Sequence, residues 1–175
     1  MKTPDKAKEI FKPFLFPCKQ NKRPDVKGSW IHTAPIKTRS IDSDLCGLDC
    51  GQAGLVVVDF NLYKKEFQES KKSQKFYEMV KKETRYFQRT QSGGEHFFFR
   101  KHPKIEVKNA PFFPCVDIRT TGGYICLYQV PFKPDNAYGS FEEFYKELPY
   151  FKWQKKERTK TVSYTHLTLP TTPYV

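Results

Sequence analysis

The stretch that decides the fold is GLVVVDF, at residues 54–60. Three consecutive valines follow Leu55 and a glycine bounds the run, so its composition and length are those of a strand buried inside a sheet. Asp59 stands at the C-terminal end of this apolar run. Because burying a lone carboxylate is costly unless cations compensate its charge, Asp59 is a candidate for a functional site.

Between this strand and residue 130, the sequence predicts one helix and four further strands. Residues 64–82 contain neither Gly nor Pro and are rich in Lys, Glu and Gln around an apolar stripe, which predicts a helix. RYFQRT (85–90) and EHFFFR (95–100) flank a glycine turn and predict two paired strands. CVDIRTTGGYICLYQV (115–130) predicts a further hairpin, with one strand on each side of its two glycines.

The two ends of the domain are predicted to be helical. DKAKEIFKPF (5–14) predicts a short helix before the basic, turn-rich loop KQNKRPDVKGSW (19–30), and FEEFYKEL (141–148) has helical apolar spacing before Pro149. Residues 40–51 predict only a short helix or a loop. This order of elements predicts an α+β domain in which helices cover one face of an antiparallel sheet.

The charge of the chain narrows the class of its partner. The 175 residues include 31 Lys and Arg against 19 Asp and Glu, a formal net charge of +12. This balance favours nucleic acid as a polyanionic partner, although a basic solvated surface or binding to anionic lipid gives the same composition. We expect a cytoplasmic protein with no membrane partner, because the sequence has no run of about 20 apolar residues and no signal peptide.

The cysteines do not have the pattern of a disulfide framework. The chain has five cysteines, an odd number, and their spacing is irregular, which fits reduced thiols. Cys46 and Cys50 have the spacing of half a zinc site, but a second Cys/His pair at ligand spacing is missing nearby. We therefore expect reduced thiols rather than a structural zinc site.

Residues 162–175 differ in composition from the rest of the chain. VSYTHLTLPTTPYV contains no Lys, Arg, Asp or Glu and follows the mostly charged KWQKKERTK (152–160). The string resembles one reading frame of a sequencing-library adapter, and a natural Thr/Pro-rich tail is the alternative. We therefore expect one domain at residues 1–161, the N-terminal part of a longer protein, followed by a non-native tail.

Three strings place a polar side chain inside an otherwise apolar strand. They are VVVDFN (56–61), SGGEHFFF (92–99) and CVDIRTTGG (115–123). Hard divalent ions such as Mg²⁺ or Mn²⁺ prefer oxygen ligands and usually take one or two carboxylates plus substrate phosphates. Asp59 and Asp117 are therefore candidate ligands of a catalytic metal ion.

Phosphate-binding groups are expected beside these acids. The candidates are His96, Ser92, the backbone amides of Gly93 and Gly94, and the guanidinium groups of Arg100 and Arg119. Taken singly, these residues also have structural interpretations. Asp59 would cap a helix, and His96 would be a satisfied strand histidine. Asp117 would pair with Arg119 or Arg100. Taken together, however, these residues favour a functional site.

The three strings together carry a resemblance to a known family. GLVVVDF, TQSGGEHFFFR and VDIRTTGGYICL resemble the three motifs of the archaeo-eukaryotic primase superfamily. They are most similar to those of the bifunctional primase-polymerase domain at the N-terminus of phage, plasmid and viral primase-helicases. KQNKRPDVKGSW resembles the early lysine, proline and Gly-x-Trp signature of that domain, so the resemblance covers about residues 19–130.

The resemblance implies both a fold and a reaction. The fold would be an RRM-like antiparallel catalytic sheet with flanking helices and a small N-terminal α/β portion. The reaction would be template-directed addition of NTPs or dNTPs in DNA replication, with Asp59, Asp117 and Mg²⁺ or Mn²⁺ at its centre and His96 contacting the nucleotide. Its partners would be single-stranded template, primer and a helicase domain in the full-length protein. The lysines of the loop at 19–30 would contact template or nucleotide, or simply be solvated.

One position departs from the family pattern. The first motif usually reads acid, any residue, acid, and Asn61 stands where its second acid is expected. Residues 59 and 61 of a strand share a face, so Asn61 would be a third metal ligand, but an amide oxygen holds Mg²⁺ less strongly than a carboxylate. The explanations are a weakened enzyme, a domain that binds without catalysis, and a sequencing error.

Two other functions use the same residues. An RRM-like sheet with basic and aromatic side chains would bind single-stranded nucleic acid by stacking and phosphate contacts, without chemistry. The two acids would also serve a nuclease or another metal-dependent phosphotransferase.

Overall fold

The computed structural model describes residues 1–30, 43–132 and 138–154. The helices are α1 (Asp5–Phe11), α2 (Lys65–Glu69), α3 (Lys71–Glu83) and α4 (Phe141–Glu147), with a 3₁₀ turn (Lys12–Phe14) after α1. The strands are β1 (Leu15–Cys18), β2 (Leu45–Asp49), β3 (Leu55–Phe60), β4 (Phe87–Arg89), β5 (Glu95–Arg100), β6 (Ala110–Phe113), β7 (Val116–Arg119) and β8 (Tyr124–Leu127). The predictions for residues 155–175, including the adapter-like tail, lie outside the described residues.

The strands form two antiparallel sheets. One has five strands in the order β4-β5-β3-β7-β6, and the other has three in the order β1-β2-β8. The predicted strand in GLVVVDF is β3, at the centre of the larger sheet. The α+β class is confirmed, as are the helices at both ends and the two strands around the glycine turn at 92–94. The RRM-like character of the larger sheet stays a prediction.

Both faces of the five-stranded sheet are covered, because β3 is apolar on both of its faces. Val56 and Val58 pack in one cluster with Phe76 of α3. Leu55 and Val57 face the other way, into a cluster shared with α1, α4 and the three-stranded sheet. The expectation that helices cover only one face is therefore wrong. No helix in the described ranges is long and apolar enough to cross a membrane.

β7 and β8 do not form the predicted hairpin. β7 pairs with β3 and β6, whereas β8 pairs with β2 in the other sheet. A turn carries the chain across, in which the N–H of Gly123 donates to the carbonyl of Thr120 at 2.8 Å and Gly122 has a φ of 83°. The two glycines thus serve a change of sheet rather than a tight hairpin.

Residues 45–49 form a strand, β2, where the sequence predicted a short helix or a loop. The strand is buried along its whole length, between β1 and β8. Gly47 allows this packing, since a Cβ at that position would collide with the ring of Phe16. The smaller sheet therefore combines early strands with the late strand β8, and it is not a purely N-terminal portion as expected.

The predicted helix at 64–82 is interrupted at Ser70. This residue has extended backbone angles and separates α2 from α3. Its Oγ accepts a hydrogen bond from the N–H of Ser73 at 3.2 Å, which is the geometry of an N-cap. Ser73 itself is buried and donates to the carbonyl of Pro114 at 2.6 Å, so the start of α3 is fixed to the turn before β7.

Candidate active site

Asp59, His96 and Asp117 lie side by side on three neighbouring strands. In the antiparallel register, Asp59 of β3 is directly opposite His96 of β5 on one side and Asp117 of β7 on the other. Residues in such pairs have Cβ atoms about 4.5–5.5 Å apart. The structure therefore brings together the three side chains that the sequence selected.

The side chains of this trio face the space between the two sheets. Asp59 shares a face of β3 with Val57, and His96 shares a face of β5 with Phe98. Val57 and Phe98 belong to the core cluster between the sheets. The site therefore stands where this core ends and the gap between the sheets opens to solvent.

A cavity of about 320 Å³ occupies that opening. Its polar lining includes Lys22, Asp59, Asn61, Ser92, His96 and Arg119, and its aromatic lining consists of Trp30, Tyr63, Tyr124 and Tyr128. The volume is within the range of pockets that hold small molecules, about 300–1,000 Å³. Asp117 stands beside the cavity, with its Oδ2 3.5 Å from Nη2 of Arg119.

Asp59 and His96 form a buried contact at the floor of the cavity. Nε2 of His96 is 3.3 Å from Oδ1 of Asp59, and the two side chains are 7% and 17% exposed. Burial raises the pKa of Asp59. The charge of protonated His96, its hydrogen bond to Asp59, and the charges of Arg119 and Lys22 lower this pKa and together outweigh burial. The net pKa of Asp59 is lowered, so the carboxylate is ionised at neutral pH.

The oxygen groups at this site suit a hard divalent ion. They are the carboxylates of Asp59 and Asp117 and the amide of Asn61, which follows β3 and lines the cavity. Within the part of the chain that the structure describes, no three His, Cys, Asp or Glu side chains gather as a metal-binding group. Mg²⁺ needs only one or two carboxylates when substrate phosphates complete its shell, so the residues present fit such an ion.

Lys22 is the lysine of the early loop that reaches the cavity. Its Nζ is 3.4 Å from Oγ of Ser92, on the turn between β4 and β5. The backbone of Lys22 has a φ of 71°, which is uncommon outside glycine, and its carbonyl accepts a hydrogen bond from the hydroxyl of Tyr124 at 2.9 Å. The fold thus holds this lysine in a specific conformation beside Ser92.

The amides of Gly93 and Gly94 are not available for phosphate as the sequence predicted. The N–H of Gly93 donates to the carbonyl of Thr90 at 3.2 Å, and that of Gly94 donates to Oγ1 of Thr90 at 2.9 Å. Both donors are used within the turn itself. The turn therefore contributes the hydroxyl of Ser92 to the cavity rather than backbone donors.

Arg100 lies at the wrong end of β5 to bind a nucleotide. It is paired with Leu55 and stands four residues from His96, which is about 13 Å along a strand. Its Nε donates to the carbonyl of Leu148 at 2.7 Å, and its guanidinium lies 4.2 Å from the ring centroid of Tyr150. Arg100 is therefore a residue that fastens the segment after α4 to the sheet.

Gln88 is a residue of the site that the sequence did not reveal. It is fully buried on β4 and directly opposite His96. Its Nε2 lies 2.8 Å from Nδ1 of His96 and 2.9 Å from the carbonyl of Cys126, while its Oε1 accepts from the N–H groups of Tyr128 and Gln129 at 2.8 and 3.3 Å. The sequence predicted that β4 and β5 pair, but it did not give the register that places Gln88 opposite His96.

Comparison with known families agrees with this geometry. The family model Prim-Pol, described as bifunctional DNA primase/polymerase, N-terminal, matches residues 11–150. This range extends from the end of α1 to beyond α4 and includes every residue of the site. A search of curated proteins finds no significant match. The chain therefore belongs to the family of bifunctional DNA primase/polymerase N-terminal domains.

Proposed function

We propose that this domain catalyses template-directed nucleotidyl transfer, adding NTPs or dNTPs to a nucleic acid chain with release of pyrophosphate. The observation that carries the proposal is the register that places His96 and Asp117 on either side of Asp59, which lies at the floor of a cavity. Single-stranded template and primer are the proposed partners. A replicative helicase domain further along the full-length protein is proposed on family resemblance alone.

Asp59, Asp117 and Asn61 are the proposed ligands of Mg²⁺ or Mn²⁺. The lowered pKa of Asp59 keeps one ligand charged, and Asp117 is half-exposed and directly opposite it. Bound there, a divalent ion supplies Lewis-acid stabilisation of the reacting phosphate and of the leaving pyrophosphate. Asn61 offers a neutral oxygen where a carboxylate would bind more strongly, which predicts a weak metal site rather than none.

The cationic groups of the cavity wall are the proposed binding site of the triphosphate. Lys22 and Arg119 line the same cavity as Ser92 and His96, so their charges and hydrogen-bond donors face one shared volume. Charged donors to phosphate oxygens give the stronger class of hydrogen bond. Trp30 and Tyr124, whose ring centroids are 5.0 Å apart, supply an aromatic wall against which a base can stack.

Primer extension on a single-stranded template tests this proposal. We expect Asn61→Asp to raise incorporation at limiting Mg²⁺ or Mn²⁺ by on the order of tenfold, because it adds a charged ligand. Asp59→Ala and Asp117→Ala should abolish incorporation, and all products should require the divalent ion. Equal incorporation by wild type and these three variants would contradict the metal assignment.

A control separates the new ligand from the new charge. Asn21→Asp makes the same chemical change on the exposed early loop, where Oδ1 of Asn21 accepts from the N–H of Arg23 and would still do so. This variant should extend primers as the wild type does. An equal gain from Asn21→Asp and Asn61→Asp would show that Asn61 is not a metal ligand.

The neutral Asn61 specifically favours one alternative, a domain that binds single-stranded nucleic acid without chemistry. Under that alternative, the wild type retards a labelled oligonucleotide in a gel but yields no extended product with either metal ion. Degradation of labelled template without added nucleotides would instead indicate a nuclease.

A further inference from the structure

We propose that Gln88 is a positioning residue that holds His96 in the tautomer with its proton on Nε2, so that His96 offers an N–H donor to the cavity. The tautomer follows from contacts that the proposed function does not use. Only its consequence for the rate of nucleotide incorporation rests on that function.

The orientation of the Gln88 amide is decided by three backbone groups. One end of the amide meets two backbone N–H groups, of Tyr128 and Gln129, and the other end meets the carbonyl of Cys126. The oxygen must therefore face the N–H groups and the NH₂ must face the carbonyl. Turning the amide over would place oxygen against oxygen and NH₂ against N–H in a fully buried position, where each unmade hydrogen bond is costly.

This orientation also decides the state of His96. The NH₂ of Gln88 has two protons, one for the carbonyl of Cys126 and one for Nδ1 of His96, which lies 2.8 Å away. Nδ1 must then be the acceptor, because a proton on Nδ1 would face an N–H donor. In a neutral imidazole with an acceptor at Nδ1, the proton is on Nε2.

The protonated nitrogen is the one directed at the active site. Nε2 lies 3.3 Å from Oδ1 of Asp59, so its N–H has an ionised carboxylate as its partner before nucleotide binds. A donor in this place matches the phosphate oxygens of an incoming nucleotide. With its lone pair turned to Gln88, His96 cannot accept a proton from a primer hydroxyl in the cavity, so the structure assigns it the role of donor and not of general base.

Gln88 joins the two sheets at the same time. It is on β4 of the larger sheet, while the carbonyl of Cys126 and the N–H of Tyr128 belong to β8 of the smaller sheet and the residues after it. One buried side chain thereby fixes both the histidine and the strand that forms the opposite wall of the cavity. If Gln88 only connected the sheets, its contacts to the backbone of Cys126 and Tyr128 would suffice. Its contact to Nδ1 of His96 additionally decides which nitrogen of the imidazole carries the proton.

Nitrogen-15 NMR of the full chain reads the tautomer directly. Long-range ¹H–¹⁵N spectra of histidine-labelled protein, without nucleotide or metal, distinguish a protonated Nε2 from a protonated Nδ1, and the His96→Gln variant identifies the signals of His96. We expect the wild type to show a protonated Nε2 and an unprotonated Nδ1. A wild-type His96 with its proton on Nδ1 would overturn the proposal without any variant.

Gln88→Glu is the decisive variant. One carboxylate oxygen can still accept from Tyr128 and Gln129, while the other leaves the carbonyl of Cys126 without its donor and now accepts from Nδ1, so the proton should appear on Nδ1. The rate constant of primer extension should fall by about 10- to 100-fold, by analogy with the loss seen when the hydrogen-bond partner of a metal-ligating histidine is changed, with the KM for template unchanged. An unaltered tautomer in a folded Gln88→Glu protein would refute the assignment.

Two further variants keep the test decisive. Gln129→Glu makes the same chemical change on an exposed neighbour whose Oε1 accepts from the N–H of Arg89, and it should leave the tautomer and the rate unchanged. Gln88→Met removes the contact without adding an acceptor, and it serves if Gln88→Glu does not fold. His96 of Gln88→Met should show a mixture of the two tautomers. A pure Nε2–H form would count against the proposal. If no protein extends primers but the tautomer shifts as expected, the proposed function fails and the role of Gln88 stands.

Discussion

Asp59 is surrounded by groups that favour its ionised form, namely His96, Arg119 and Lys22. Because these neighbours lower its pKa despite its burial, the folded-state value lies below the unfolded value of about 3.9. A carboxyl of this kind contributes stability that is present above the unfolded value and is lost as pH falls through the folded one. The residue that we propose to hold the metal therefore also makes the fold less stable at acid pH.

Thermal unfolding in a chelating buffer tests this effect. As pH falls from about 5 to about 3, the wild type should lose Tm relative to Asp59→Asn, because only the wild type has this carboxylate to protonate. The loss should be a few degrees, since 1 kcal/mol corresponds to about 2–4 °C in a domain of this size. Parallel curves for the two proteins over this range would show that the pKa of Asp59 is not lowered.

Lys22 and Lys27 belong to the same loop but differ in their surroundings. Lys22 lines the cavity beside Ser92, whereas Lys27 is exposed. Because a charged donor to phosphate is worth about 1.5–3 kcal/mol, Lys22→Ala should raise the KM for nucleotide by about 10-fold or more with little change in kcat. Steady-state primer extension measures both constants. Lys27→Ala is the matched control, and equal effects of the two changes would rule out a specific role for Lys22.

Among single residues, the sequence reveals the acidic members of the site better than its amide member. Asp59 and Asp117 were recognisable because a charge inside an apolar strand needs a reason. Gln88 was not, because the short string FQR does not tell whether its amide is buried or solvated. Arg100 shares the strand face of His96, so alternation predicted its side of the sheet, but distance along the strand removes it from the site.

At the scale of elements, the turn between β4 and β5 places both His96 and Ser92. Gly94 packs closely in it, since a Cβ at this position would lie 2.5 Å from the carbonyl oxygen of Phe60 and 3.1 Å from Oγ1 of Thr90. The first of these atoms belongs to the backbone of β3 and cannot move without disturbing the central strand. The turn therefore depends on a small residue for steric reasons.

Urea unfolding of Gly94→Ala tests the turn. The substitution should lower the free energy of unfolding by about 1–3 kcal/mol, the usual cost of overpacking. Gly139→Ala is a suitable control, because a Cβ at Gly139 would meet no atom within 4 Å. If both variants lost the same stability, a general effect of replacing glycine in a loop rather than crowding at the turn would be the cause.

The elements that the sequence missed are those whose partners are distant in the chain. β3 was predictable because its valines signal a strand locally. β2, with the sequence LCGLD, has a glycine and no β-branched residue, so only its burial between β1 and β8 makes it a strand. The pairing of β8 was missed for a related reason. A strand after a glycine turn is expected to pair with the strand before the turn, but β8 instead pairs with the otherwise open edge of β2.

At the scale of the whole molecule, the formal net charge of +12 predicts salt-sensitive binding to single-stranded DNA. The logarithm of the affinity falls with the logarithm of salt by about 0.7 for each neutralised phosphate, so four contacts would weaken binding about 50-fold between 50 and 200 mM salt. Fluorescence anisotropy with a labelled oligonucleotide measures this slope. An uncharged methylphosphonate oligonucleotide is the control, and a salt-independent affinity for DNA would contradict a phosphate interface.

The placement of β8 has a consequence for how the protein is made. During synthesis β1 and β2 leave the ribosome early, but the second edge of β2 finds its partner only when residues 124–127 emerge. Until then the nascent chain carries a bare apolar edge, which is the kind of surface that recruits chaperones or aggregates. The wall of the cavity that holds Cys126 does not exist before that moment, so the nascent domain closes its site as one of its last folding steps.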